Sequence, residues 1–364
     1  MKFFIITLLS TFTLALNAQY TFTHTQELEC TPVKSQARTG TCWSFATSSF
    51  IESELIRKGH ADLNLSEMFV VRNIYKDKAR NYVLRQGKAN FSQGSLSHDL
   101  MRMMKKGGVI PEDVYSGLLE GEKKHDHSEM EAGLKGFLDG VLKQKRLSKK
   151  WPFAFEGILD AYMGSVPDKF MYNGKEHTPQ SLASELGLDA GEYVSLTSFT
   201  HHPYHETFIL EIPDNYSNGS FYNVPLEEMM AIIDDAVNKG YSIAWDGDVS
   251  EKGFDARKGI AVLPTDSSRE DLFDTPGEEI EVTAQNRQDN FESYATTDDH
   301  LMHIVGKAKD QNGTEYYIIK NSWGEISPYK GYLYMSKAYV AMKTVAIMIN
   351  KEVLSKKIQD NISE

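Results

Sequence analysis

With only two cysteines in 364 residues, the chain has no framework of disulfides, and its fold must rest on a buried core. The length allows a sizeable one, and 41% hydrophobic against 25% charged residues is the balance of a globular protein. Beyond the first residues there is no apolar run of ~18 or more, so no second membrane segment is expected. Basic residues are outnumbered, 39 against 51, and the net charge of −12 argues against a sequence-independent grip on nucleic acid. A helical HExxH motif is missing too. His201-His202-Pro203-Tyr204-His205-Glu206 gathers three imidazoles and a carboxylate, but Pro203 disrupts the i, i+4 face that such a motif needs. No metal and no cofactor is expected, and His125 and His127, in a polar run, are expected at the surface. Without an internal repeat or a long low-complexity linker, the chain is read as one compact unit.

What is present centres on Gln36-Ala37-Arg38-Thr39-Gly40-Thr41-Cys42-Trp43-Ser44-Phe45-Ala46. A cysteine attacks an amide as its thiolate, and with an ordinary pKa near ~8.5 it needs a helix N-terminus and an imidazolium beside it to ionise at neutral pH. The segment 42–56 holds no glycine or proline and spaces Trp43, Ala46 and Phe50 at i, i+3, i+7, which predicts a buried helix with Cys42 in its first turn. Downstream, 303–309 and 314–321 read as two strands joined by Asn312-Gly313, a hairpin signal. A two-residue loop there puts His303 opposite Ser322, beside Asn321, so that the hairpin alone supplies a base and its orienter; a bulge would shift the register by one residue.

These elements resemble the papain-like cysteine peptidases, and within them the bleomycin hydrolase and aminopeptidase C branch. The similarity is carried by GTCWSFA at 40–46, the run 296–310, YYIIKNSWG at 316–324, and shorter matches at 211–216, 223–226 and 244–249. The resemblance implies an α+β, papain-like two-lobe fold: a helical lobe built on the Cys42 helix, a β-barrel-like lobe carrying His303 and Asn321, and a helical insertion. It implies Cys42 as nucleophile, His303 as base, Asn321 as its orienter, and Gln36 as oxyanion donor. Trp323 would shield the His–Asn bond, Gly94 would pair with extended substrate, and Met302 would form part of the pocket wall, or else belong to the core. Peptides are the expected partners. The branch also implies a hexameric cage and a C-terminal tail that receives the substrate's amino group.

Met1-Lys2, the apolar run 3–16 and Asn17-Ala18 read as a signal peptide of residues 1–18, so the protein is expected to be exported, in the periplasm or outside the cell, without a stable membrane anchor. Residues 19–350 would form the peptidase domain, with an insertion at about 105–235 and a β-rich lobe at about 236–350; 351–364 would be the tail. The span between Cys42 and His303 far exceeds the ~130–150 residues of small papain relatives, which is why an insertion is inferred. Cys30 is expected to stay unpaired, since a bridge to Cys42 would consume the nucleophile. The expected activity is aminopeptidase action through a thioester; endopeptidase action in an open cleft, or a non-catalytic peptide-binding oligomer, are the alternatives.

Overall fold

The computed structural model describes residues 19–60 and 63–363; the expected signal peptide lies outside them. The helices are α1 (Cys42–Arg57), α2 (Glu67–Leu84), α3 (Ser97–Gly107), α4 (Ser128–Leu142), α5 (Trp151–Met163), α6 (Pro179–Glu185), α7 (Leu226–Asn238), α8 (Ala284–Glu292), α9 (Lys337–Lys343) and α10 (Lys356–Ser363). The strands are β1 (Thr23–Glu27), β2 (Phe170–Tyr172), β3 (Lys175–His177), β4 (Tyr193–Thr197), β5 (Thr207–Ile209), β6 (Ser220–Asn223), β7 (Ile243–Gly247), β8 (Phe254–Asp255), β9 (Ile260–Ala261), β10 (His300–Lys309), β11 (Glu315–Lys320), β12 (Tyr332–Ser336) and β13 (Thr344–Asn350).

All strands but β2 and β3 join one sheet in the order β5-β6-β4-β13-β7-β10-β11-β12-β9-β8, with β1 pairing β10. The fold is α+β, as expected. The boundary expected near 235 is not a structural one: β4, β5 and β6 lie before it in sequence yet extend the same sheet that carries β10 and β11. The insertion thus contributes strands as well as the helices α4 to α7.

Alternation of side chains across the strands divides the core into two faces. Ala244, Leu301, Ala346 and Met348 pack toward α1 and α2, whereas Trp245, Met302, Ile304, Ile347 and Ile349 pack toward α7. Met302 therefore belongs to the core on the far side from α1, and the expectation that it walls the cleft is corrected. Its neighbour Leu301 takes the near side.

Helix α1 is buried over almost its whole length, and its polar residues are satisfied rather than exposed. Glu52 accepts from the Leu65 backbone N–H at 2.8 Å, and Glu54 accepts from Asn350 at 2.7 Å. The tail begins with a short turn, Lys351–Val353, and continues as α10, whose Ile358 is buried with Val353 and Leu354 in the cluster that includes α7. Asn361 donates to the Tyr222 hydroxyl at 3.1 Å. Helix α10 thus docks on the sheet face opposite the nucleophile helix.

Candidate active site

Cys42 opens α1, and no side chain caps this helix: the Thr41 hydroxyl engages Thr39 instead. The Ser44 N–H donates to the Thr41 carbonyl at 2.9 Å, and the Cys42 N–H, at the very start of the helix, is placed to receive an anion. The loop before α1 reaches the end of β11, where Ser35 bridges Trp323 and the Gln36 N–H donates to the Ser322 carbonyl at 2.8 Å. Gln36 is buried with its amide fixed at both ends: Oε1 accepts from the Ser322 hydroxyl at 2.7 Å, and Nε2 donates to the Thr39 carbonyl at 2.6 Å. One N–H of that amide remains for a substrate oxygen.

The hairpin forms, but its register differs from the expected one. Gly313, at φ 87, closes a longer loop in which the Asp310 N–H donates to the Thr314 carbonyl, and a bulge between Ile304 and Gly306 shifts the pairing again. His303 consequently faces Lys320, not Ser322. Its ring is buried, and Nδ1 pairs with the Ser49 hydroxyl at 2.8 Å. Lys320 donates to the same hydroxyl at 2.7 Å. Burial and the Lys320 ammonium hold the His303 imidazole well below its usual range. With Nδ1 held by Ser49, about two helical turns along α1 from Cys42, and an ammonium beside it that opposes any gain of positive charge, His303 is not placed to take the thiol proton, so its expected role as base is corrected.

The histidine that meets Asn321 is His300. Its Nε2 lies 2.8 Å from Asn321 Oδ1, which also accepts from the Ser322 N–H at 2.7 Å. An acceptor at that position keeps the proton on Nε2 and leaves Nδ1 as the basic nitrogen. The Trp323 indole, partly exposed, lies against the His300 imidazole with ring centroids 4.5 Å apart, on a different histidine from the one expected. The Leu301 backbone hydrogen-bonds the Cys42 thiol, which seats the sulfur one residue from His300.

Electrostatics at the sulfur run against the expected thiolate. Burial pushes the Cys42 thiol up to about 12, against the Leu301 bond, and the carboxylates of Asp298, Asp246 and Asp214 push the same way. Burial likewise pulls His300 down to about 4. Both shifts run toward the uncharged forms, thiol and imidazole. Cys30 and Cys42 are both free, and Cys30 lies against the Tyr332 hydroxyl at 3.3 Å.

Gly94 sits beside the site, but not bare. Its carbonyl accepts from the buried Lys78 ammonium, and a Cβ here would collide with the Asp214 carboxylate. Gln93 ties this loop to the nucleophile: its carbonyl accepts from the Trp43 indole at 2.9 Å and its side chain from the Gly40 N–H at 2.7 Å.

The remaining histidines divide. His125 and His127 are buried, correcting the surface expectation, because the Arg38 and His127 backbones pair across this stretch and fold it under the α1 loop; burial pulls His127 to about 4. His201, His202 and Glu211 bring three possible ligand atoms within 4.8 Å of one another on the surface, where each imidazole already bonds the Glu211 carboxylate.

Sequence reasoning missed His300, Asp298 and Asp246. One signal was available: histidines three apart on a strand point to opposite faces, so only one of the two could meet Asn321.

Comparison with known proteins supplies the family and supports the fold. Residues 166–364 match the Peptidase C1-like family, and residues 18–144 match the papain family cysteine proteases. Aminopeptidase G of Lactobacillus delbrueckii subsp. lactis is 25% identical over 93% of this chain and 85% of that protein. Aminopeptidase C of Lactococcus lactis subsp. cremoris is 21% identical over 89% and 81%. The crystal structure of PepW from Lactobacillus rhamnosis HN001 superposes with a TM-score of 0.72 at 20% identity, covering 94% of this chain and 84% of that one. With a matched family spanning more than half its length, this chain belongs to the Peptidase C1-like family and is a papain-type cysteine peptidase.

Proposed function

We propose that the protein is an exported aminopeptidase that cleaves peptides through a thioester on Cys42, with His300 as its base. The observation that carries this is the His300–Asn321 bond beside a sulfur at an uncapped helix N-terminus. Neither Cys42 nor His300 favours a charge alone, but passing the thiol proton to His300 Nδ1 creates two charges that offset each other. The sulfur then bonds the peptide carbonyl carbon, and the oxygen, now negative, receives N–H groups from Gln36 Nε2 and the Cys42 backbone. The imidazolium returns its proton to the leaving nitrogen as the C–N bond breaks, which leaves a thioester. Water, deprotonated by His300, attacks that carbonyl and releases the acid and the Cys42 thiol. Asn321 holds the ring in one tautomer throughout.

The names of the relatives support the aminopeptidase assignment, and the run Phe3 to Leu16 supports export. Endopeptidase action is the alternative favoured by one observation: α10 packs on the far face of the sheet, so this helix does not occupy the cleft. Hydrolysis of a free aminoacyl coumarylamide, set against an amine-blocked peptide coumarylamide, separates the two. The proposal expects the free amine to be preferred, Cys42→Ala to be inert on both, and the exported protein to begin after residue 18. A preference for the blocked peptide would overturn the aminopeptidase assignment; undiminished function in Cys42→Ala would overturn the enzyme.

A further inference from the structure

An aminopeptidase must hold the substrate's ammonium group, and α10 lies on the wrong face of the sheet to do so. The face toward α1 carries the needed charge. Asp246 pairs in register with Leu301, the residue whose backbone bonds Cys42, and Asp298 stands two residues before His300. Asp246 is only 4% exposed, yet neither of its carboxyl oxygens meets a donor N–H or O–H, and Asp298 Oδ2 is buried in the same state. The Asp298 carboxyl is set against that of Asp246, so that a proton shared between the two relieves part of the cost.

Asp214 accepts from the Asn90 amide at 3.0 Å, but the Asp246 oxygens and Asp298 Oδ2 have no such donor. Buried Lys78 bonds the carbonyls of Ser92 and Gly94 and eases Asp214 and Asp298 only through space, without pairing with either. Burying carboxyls without donors is costly, and placing them where they oppose a thiolate works against the reaction. Both costs are offset if a cation arrives with the substrate. Space for the rest of that residue adjoins: Asp298 lines a cavity of about 390 Å³ together with Ile212, Pro213, Phe291 and Thr297.

We propose that the Asp246–Asp298 carboxyl pair, backed by Asp214, receives a substrate ammonium group, so that the cleft selects chains carrying a positive charge immediately before the residue at the scissile bond. This rests on the cysteine peptidase mechanism above and names its substrate class. The ammonium can be the α-amino group of an N-terminal residue or a lysine side chain one residue further back, and the experiment distinguishes the two sources.

Four substrates suffice: leucyl coumarylamide and its N-acetyl form, and N-acetyl-lysyl-leucyl and N-acetyl-norleucyl-leucyl coumarylamides. In the wild type, the ammonium-bearing member of one pair is preferred in kcat/KM by at least about 30-fold, mostly through KM. The first pair identifies an α-amine, the second a side chain. In Asp298→Asn and Asp246→Asn that preference falls to within about threefold. Thermal melting certifies each variant as folded, and if the buried Asp246→Asn does not fold, the more exposed Asp298→Asn decides alone. Folded variants that keep the full preference overturn the proposal, as does a wild type that hydrolyses both members of each pair equally. A wild type that hydrolyses none of the four fails the peptidase mechanism itself, and the proposal with it.

Discussion

Replacing His303 by leucine should damage stability and spare turnover. The leucine fills much of the ring's space but takes no hydrogen bond, so the Ser49 hydroxyl loses the acceptor it holds at 2.8 Å while still accepting from Lys320. Leaving that buried hydroxyl proton unpaired costs about 1–3 kcal/mol. His303→Ala adds a cavity beside Phe50, whose ring lies 6.2 Å from the imidazole, and should cost about 3–5 kcal/mol. Urea unfolding measures both as shifts in midpoint at constant slope. A double-mutant cycle with Ser49→Ala should return a coupling of about 1 kcal/mol between two residues in contact. At saturating substrate, the folded leucine variant should turn over within about threefold of wild type. If it is folded and retains less than about a hundredth of the activity, the structural role assigned to His303 is wrong.

Asn321→Ala removes the acceptor of His300 Nε2 and should lower kcat/KM about 10- to 100-fold, the worth of a hydrogen bond to a group that becomes charged during reaction; unchanged kinetics would refute its orienting role. Because the Cys42 thiol is pushed up to about 12, its alkylation by iodoacetamide in the resting enzyme should keep rising with pH beyond 8; a plateau from acid pH to neutrality would mean a preformed thiolate. Truncating Ile358 to alanine should destabilise the fold by about 2–5 kcal/mol without admitting blocked peptides, since the side chain is buried on the α7 face. Faster cleavage of blocked peptides in that variant would show that the tail does control the cleft.

Much of the site could be read from the chain, since its nucleophile helix depends on local features: a glycine, a cysteine and an uninterrupted apolar face predict α1 almost to the residue. Gln36 was reached only through the family resemblance, and Asn321 through the hairpin reading together with it. The base was missed, because it hangs on strand register, which a loop one residue longer and a single bulge moved from Ser322 to Lys320 opposite His303. Met302 illustrates the same sensitivity, as neighbouring positions on β10 face opposite cores. The aspartates beside the site were illegible for another reason. Asp214, Asp246 and Asp298 lie far apart in sequence, each an ordinary acidic residue until β7 and β10 pair and the loop at 214 closes on Gly94. The membership of β4 to β6 in the main sheet depends likewise on long-range pairing, β4 with β13.

The partnership of Cys42 with His300 is tested most directly by kcat/KM of His300→Ala on a free aminoacyl coumarylamide, with melting curves to certify the fold. A loss of at least about 10²- to 10⁴-fold at near wild-type stability is predicted, the scale of a missing general base. A folded His300→Ala enzyme within tenfold of wild type would contradict it.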